Sequence, residues 1–207
     1  KTKNKVTDLE AFSSVMDMVS GYGFAMQGYP VRSLFSLDFR GLNEEGLPTF
    51  INENGELTTS NINFQERNNK SHLIYEGTTD PTITGSLGNV FSYKGLKLNV
   101  FITYSFGNVI RLDPVFSNQY TDLDAMPKEF QEPLDEAGHE HRTNIPVIAD
   151  KYMNVNDSYL SRAYNAYNYS SDRIAKGDFI RLKEISLSYD LPKKVELNRL
   201  KIFQFKD

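Results

Sequence analysis

Residues 96–106 alternate so regularly that few folds can hold them. Leu96, Leu98, Val100, Ile102, Tyr104 and Phe106 take the even positions. Lys97, Asn99, Thr103 and Ser105 take the odd ones, with Phe101 the single apolar residue among them. Successive side chains of a strand point to opposite faces, so this period predicts an eleven-residue strand with one apolar and one polar face. Just ahead, Leu87, Phe91 and Tyr93 share one parity, and Ser86, Gly88 and Ser92 the other. Between the two runs lies Lys94-Gly95, a two-residue connection with a glycine available for positive φ. Strands over 84–93 and 96–106, joined as a tight hairpin, follow.

A further strand is expected over 179–191. Ile185, Leu187 and Tyr189 share one parity, while Ile180 and Leu182 lie on the other, so the apolar face switches near Lys183-Glu184. A bulge does this, as does a strand passing between two environments. Pro192 ends the run, since proline cannot donate to a ladder. A return strand is expected over 200–205.

The connections are lopsided. Two residues close the hairpin, but 70 residues separate Asn108 from Gly177, counted inclusively. Within that stretch, Asp122–Ala137 and Asp157–Tyr167 carry weak helical patterns. Residues 29–61 differ again, with short apolar pieces cut by Gly41, Gly46-Leu47-Pro48 and Asn54-Gly55, and predict a folded β excursion. Strands of about ten residues, one tight turn and long opposite loops are the anatomy of an outer-membrane barrel. The fold class expected is therefore all-β, with antiparallel strands from a transmembrane barrel and long extracellular loops near 11–81 and 108–177.

Composition removes several alternatives. With 23 Lys+Arg against 27 Asp+Glu, the net charge of −4 argues against a nucleic-acid partner. The absence of cysteine excludes disulfides, thiolate zinc sites and thiol nucleophiles. No run approaches the ~18 apolar residues of a spanning helix. The chain opens at Lys1-Thr-Lys-Asn-Lys5 without an initiator Met or export signal, and is expected to be a piece of a longer protein.

No catalytic set has defensible spacing, and no enzyme is expected. His139-Glu140-His141 has two imidazoles but no third ligand nearby; beside Glu132, Asp135 and Glu136 it suits a solvated acidic loop better than a metal site. Asn154-Val-Asn-Asp157 lacks the glycine and closing glutamate of a calcium loop. Tyr152, Tyr159, Tyr164, Tyr167 and Tyr169 offer either a ligand-contacting wall or, preferably, packing for a long loop. Tyr93, Tyr104 and Tyr189 sit near strand ends, where a barrel places its aromatic girdle, and Lys97, Asn99, Arg181 and Glu184 would line or approach the lumen. No cofactor is expected, and substrate-binding residues stay unassigned.

Four motifs give a resemblance. Gly28-Tyr-Pro-Val-Arg-Ser-Leu-Phe35 with Phe39-Arg-Gly-Leu42 and Gly46-Leu-Pro-Thr-Phe50 is the first. Asp80-Pro-Thr-Ile-Thr-Gly85 through Asn89-Val-Phe-Ser-Tyr-Lys-Gly95 is the second, and Ser105-Phe-Gly-Asn108 the third. The fourth runs from Gly177-Asp-Phe-Ile-Arg-Leu-Lys-Glu-Ile185 to Leu191-Pro192. Together, in this order, they resemble the near-C-terminal barrel region of SusC/RagA-type TonB-dependent outer-membrane proteins. The chain departs from that pattern in having no Trp after the third motif.

The resemblance implies a parent barrel of about 22 strands in the bacterial outer membrane, with the plug domain outside this chain. It further implies active import of glycan or peptide nutrients, with the TonB system, a SusD/RagB-type surface lipoprotein and outer-membrane lipid as partners. The alternative is a soluble all-β carbohydrate-binding module. In a module the apolar face of 96–106 packs against a second sheet; in a barrel it meets lipid.

Overall fold

The computed structural model describes residues 4–10, 12–21, 23–115, 144–146 and 158–191. In chain order the elements are α1 (Val15–Val19), β1 (Ser33–Leu37), β2 (Phe39–Leu42), β3 (Pro48–Ile51), β4 (Leu57–Thr58) and β5 (Leu73–Thr78). After them come β6 (Ile83–Tyr93), β7 (Leu96–Phe106), β8 (Val109–Arg111), α2 (Ser158–Asn168), β9 (Ile174–Lys176) and β10 (Phe179–Tyr189). A 3-10 turn at Ser171–Arg173 links α2 to β9. The described residues fall into two compact units, one of 83–106 and 178–191, the other of 4–82, 107–115, 144–146 and 158–177.

The first unit is an antiparallel sheet in the order β10–β7–β6. The hairpin forms as the alternation predicts, pairing Ile83 with Phe106 at one end and Tyr93 with Leu96 at the other. Its turn residues Lys94 and Gly95 have φ of 45° and 86°. Two positive φ values are the mark of a type I′ turn, whose twist matches that of the flanking strands. A Cβ on Gly95 would lie 3.2 Å from the Asp190 carbonyl oxygen, and Asp190 N–H donates back to Gly95 O at 2.8 Å. That bond draws the chain out of the ladder, so β10 stops at Tyr189, two residues short of the expected Leu191.

The parity switch in β10 is a bulge. Leu182 pairs with Ile102 and Glu184 with Phe101, leaving Lys183 as the extra residue. The one-residue insertion returns Ile185, Leu187 and Tyr189 to the face already held by Ile180 and Leu182. Paired residues share a face, so the sheet has one side made of Leu87, Phe91 and Tyr93, the even residues of β7, and these five residues of β10.

Two glycines of β6 are covered by aromatic rings across the ladder. A Cβ on Gly85 would lie 2.4 Å from Cζ of its partner Tyr104. On the opposite face, a Cβ on Gly88 would lie 3.2 Å from Cδ2 of its partner Phe101. Phe101, the apolar intruder of the sequence, thus has a seat: it fills the space that Gly88 leaves empty.

The second unit is built from shorter pieces. β1 pairs antiparallel with β5, β3 lies between β2 and β4, and β8 pairs with β9. The expected β excursion over 29–61 is therefore present as β1 to β4. Its turns rest on asparagine side chains. Asn43 Oδ1 accepts the N–H of Glu45 and Leu47 at 3.1 and 2.8 Å, and Asn52 Oδ1 accepts those of Asn54 and Glu56 at 3.0 and 2.9 Å.

α1 is only five residues long and starts with a capping box. Ser14 Oγ accepts Asp17 N–H at 3.3 Å, while Ser14 N–H donates to Asp17 Oδ2 at 2.8 Å. The Ser14 N–H and the Ser14 hydroxyl, which also donates to Asp17 Oδ2 at 2.8 Å, hold the Asp17 carboxyl below its usual pKa. α2 coincides closely with the helical pattern expected over 157–167. Its Ala163, Tyr164, Ala166 and Tyr167 are buried and join Val15, Val19, Leu37 and Phe50 in the core. The expected helix over 122–137 and strand over 200–205 lie outside the described residues.

Candidate functional site

The sheet has two chemically different sides. On the apolar side, Tyr93 and Tyr189 flank Leu96 at the turn end, and Tyr104 stacks on Phe106 at the other, with ring centroids 5.7 Å apart. Between these aromatic ends lie Leu87, Leu98, Val100, Ile102, Leu182, Ile185 and Leu187, with Phe91 among them. From Leu96 to Tyr104 the strand rises eight times by ~3.3 Å, about 26 Å in all. The outer strands expose this face: Leu87 is 62% exposed, Ile180 68% and Leu187 67%. Such a surface in water is an association site or a hazard.

The other side is mainly polar, with Val90, Phe101 and Phe179 as its apolar residues. Lys97, Asn99, Arg181 and Glu184, expected together at a lumen, do share this face. Asn99 Nδ2 donates to Glu184 Oε1 at 2.7 Å, and Ser186 Oγ donates to the same oxygen at 3.3 Å. Lys97 Nζ lies 2.8 Å from Asp190 Oδ2. Arg181 stands over the Phe179 ring at 5.0 Å.

In the second unit, two guanidiniums hold the connections, that of Arg111 half-buried and that of Arg173 buried. Arg111 donates through Nη2 to Phe35 O at 2.7 Å and through Nη1 to Asn168 O and Ser170 O at 3.4 and 3.3 Å. Burial lowers its pKa to about 10, opposed by the nearby Glu76. Arg173 Nη2 donates to Asp113 O at 2.9 Å. Tyr167, also buried, donates its hydroxyl to Asp172 Oδ2 at 2.7 Å, and burial together with that carboxylate raises its pKa.

The tyrosine cluster splits. Tyr164 and Tyr167 are core, Tyr169 packs edge-on against Phe64 at 5.8 Å, and Tyr159 is exposed. Packing is the larger share, as preferred from sequence. Tyr152, His139, Glu140, His141, Asn154 and Asp157 lie outside the described residues. Among the described residues no three His, Cys, Asp or Glu side chains converge as a metal site. Nor is any helix long and apolar enough to cross a membrane, which says nothing of crossing by strands.

The sequence reading missed Arg111, Arg173 and a polar cleft of about 780 Å³ beside α2. Periodicity had no means of finding any of them, because it reports apolar faces and not the partners of isolated polar residues.

No family model matches the chain. No curated protein matches it either. Among solved structures it is similar to a chain of the RagAB peptide importer in its "closed-closed" state. The match covers 82% of this chain, at 19% identity and a TM-score of 0.51. At that identity the likeness is one of fold alone: all-β, antiparallel and of partial-barrel type. The chain spans 17% of the length of that relative.

Proposed function

We propose that this chain is a section of a SusC/RagA-type, TonB-dependent importer of the bacterial outer membrane. It supplies wall strands from the hairpin sheet and extracellular loop structure from the second unit. One observation carries the reading: an apolar face about 26 Å long, capped at both ends by aromatics. The lipid-facing band of an outer-membrane barrel is ~25 Å tall and flanked by aromatic girdles, and strands tilted by ~35–45° cross it in ~9–11 residues; β6, β7 and β10 have eleven each. The fold likeness to a peptide importer supports the same reading.

In this role Leu98, Val100 and Ile102 meet acyl chains, and Tyr93, Tyr104 and Tyr189 sit at headgroup level. Lys97, Asn99, Arg181 and Glu184 face the lumen, where their hydrogen bonds and charges meet water. The two outer strands of the sheet, β6 and β10, have no further partner strand among the described residues; in the parent their edges pair with neighbouring wall strands, since an open edge is not tolerated in hydrocarbon. Energy for uptake comes through the TonB system acting on the plug domain, and a SusD/RagB-type lipoprotein delivers glycan or peptide from outside. The chain performs no catalysis in this scheme. The exposure of Leu87, Ile180 and Leu187 weighs against the soluble carbohydrate-binding module, which would bury that face under a second sheet.

Cell fractionation of the full-length protein tests the proposal. Expected are recovery in the outer membrane and faster migration of unheated than of heated samples on SDS gels. Purification without detergent as a monodisperse, cooperatively melting monomer would overturn it.

A further inference from the structure

Ser60–Phe64 and the outer side of α2 enclose the polar cleft of about 780 Å³. Its walls are held from behind. The Phe64 carbonyl accepts Met16 N–H at 2.9 Å, and α2 is anchored by the buried Tyr164 and Tyr167. Its mouth, in contrast, has unused hydrogen-bonding capacity. Arg162, Asn61 and Asn165 are exposed there, and no group among the described residues bonds the guanidinium or either side-chain amide. Glu53 lines the same cleft, with Oε2 buried and lacking any hydrogen-bond partner.

The donor and acceptor inventory selects a ligand. One cation and one anion rule out a site built for a multiply charged ion. A sugar ring asks for a free aromatic face, but the one aromatic among the described lining residues, Phe64, is already packed edge-to-face against Tyr169. An extended peptide matches better. Its main chain alternates N–H and C=O, and each asparagine amide offers both an acceptor and donors. A terminal carboxylate fits the planar fork of a guanidinium, which binds two oxygens at once. Glu53 offers an acceptor for a peptide N–H, and Ile62 offers apolar surface to a side chain. The volume falls within the ~300–1,000 Å³ usual for small-ligand sites.

We propose that this cleft is a binding subsite for a short peptide with a free C-terminus. Arg162 takes the carboxylate, and Asn61 and Asn165 take the adjoining peptide groups. This deepens the import reading and rests on it for its biological meaning.

The test uses the full-length protein in detergent and two random tetrapeptide pools of the same composition, one with free C-termini and one amidated. Bound peptides are quantified by mass spectrometry after gel filtration. The wild type should retain the free-acid pool at least tenfold over the amidated pool. Arg162→Gln, checked for unchanged melting temperature, should lose that preference, and Asn165→Ala should weaken retention several-fold. Equal retention of both pools, no retention, or a preference undiminished in Arg162→Gln would overturn the subsite. Retention of maltotetraose that is abolished by Arg162→Gln would reassign it to sugar. Fractionation separates the two proposals: an outer-membrane, heat-modifiable protein without the carboxylate preference refutes the subsite alone.

Discussion

The hairpin sheet and the second unit handle apolar side chains in opposite ways. In the sheet, three strands of eleven residues each gather most of theirs on one face and leave it largely open. In the second unit, strands of two to six residues bury theirs, Leu34, Phe35 and Leu37 from β1 and Phe50 from β3 among them, and the helices complete the core. β1 shows the contrast most sharply. All five of its residues are buried, including Ser33 and Ser36, whose hydroxyls bond Pro30 O and Glu76. A strand buried on both sides has no reason to alternate, and polar groups enter it only with partners. Long, regular alternation therefore marks a sheet whose two sides meet different surroundings.

That contrast breaks or sharpens under mutation of the full-length protein. The largest effect is expected in the second unit, where Phe50 is fully buried. Phe50→Ala should cost about 3–5 kcal/mol. Phe91→Ala, on the exposed face of the sheet, should cost far less in a detergent micelle. Urea unfolding of both variants makes the comparison, and similar costs would erase the distinction between the units.

Next in size is a pair of neighbours on opposite faces. Val100→Arg places a charge on the proposed lipid face at a cost of about 2–4 kcal/mol near the bilayer midplane. Asn99→Arg stays beside Glu184, which already accepts a bond from Asn99, and should be tolerated. Outer-membrane abundance and heat modifiability distinguish them. Equal tolerance would mean the face assignment is wrong.

A smaller loss is expected from Tyr167→Phe. The variant keeps the ring in the core but removes the hydroxyl bond to Asp172, and hydrogen bonds to charged groups contribute about 1.5–3 kcal/mol. Asp172 retains the bond from Asn144 Nδ2 at 2.8 Å, which places the expected effect at the lower end of that range. Thermal melting monitored by tyrosine fluorescence reads it.

The smallest effect is a pH dependence confined to the second unit. His72 is buried and neither ring nitrogen has a partner. Burial pushes its pKa below the ordinary 6.5, while Glu53 and Glu66 pull it partly back. Below that ordinary value the unfolded chain binds the proton more readily than the folded one. Stability is therefore complete above about pH 6.5 and declines as pH falls toward the folded pKa, by at most ~1.4 kcal/mol per pH unit. His72→Gln should flatten that part of the profile in hydrogen exchange of β5, whereas an unchanged slope would exclude His72 as its source.

The parts of this fold that were legible from sequence are those written in a repeating period. β7 and its hairpin follow from the even-numbered apolar residues, and the change of parity near Lys183-Glu184 marked the place of the bulge without separating it from a change of environment. α2 was visible through Tyr159, Ala163 and Ala166. The polar face, with Lys97, Asn99, Arg181 and Glu184, came with the alternation. Arg111 and Arg173 were invisible because β8 and β9 are three residues each, too short to show a period. The groups they bond lie 57 to 76 positions away. The cleft at Arg162 was hidden for the same reason, since Asn61 and Arg162 approach only when distant segments fold together. Composition carried no sign that Asn43, Asn52, Asn63 and Asn69 are the specific acceptors of Asx turns.

The two ring-covered glycines of β6 do something that alternation cannot. A two-residue slip of one strand along the other would leave every apolar side chain on its original face, so the hydrophobic pattern alone does not distinguish the native pairing from its nearest mistakes. With Gly85 under Tyr104 and Gly88 under Phe101, such a slip would set Leu87 or Ile83 opposite Tyr104 and Val90 or Ser86 opposite Phe101. Neither ring would find its vacancy. The pattern of the hairpin thus carries a face, while its glycines carry an address, read independently from both sides of the sheet. A wall assembled strand by strand needs that address, because one misaligned hairpin would displace the pairing of every strand added to its edge.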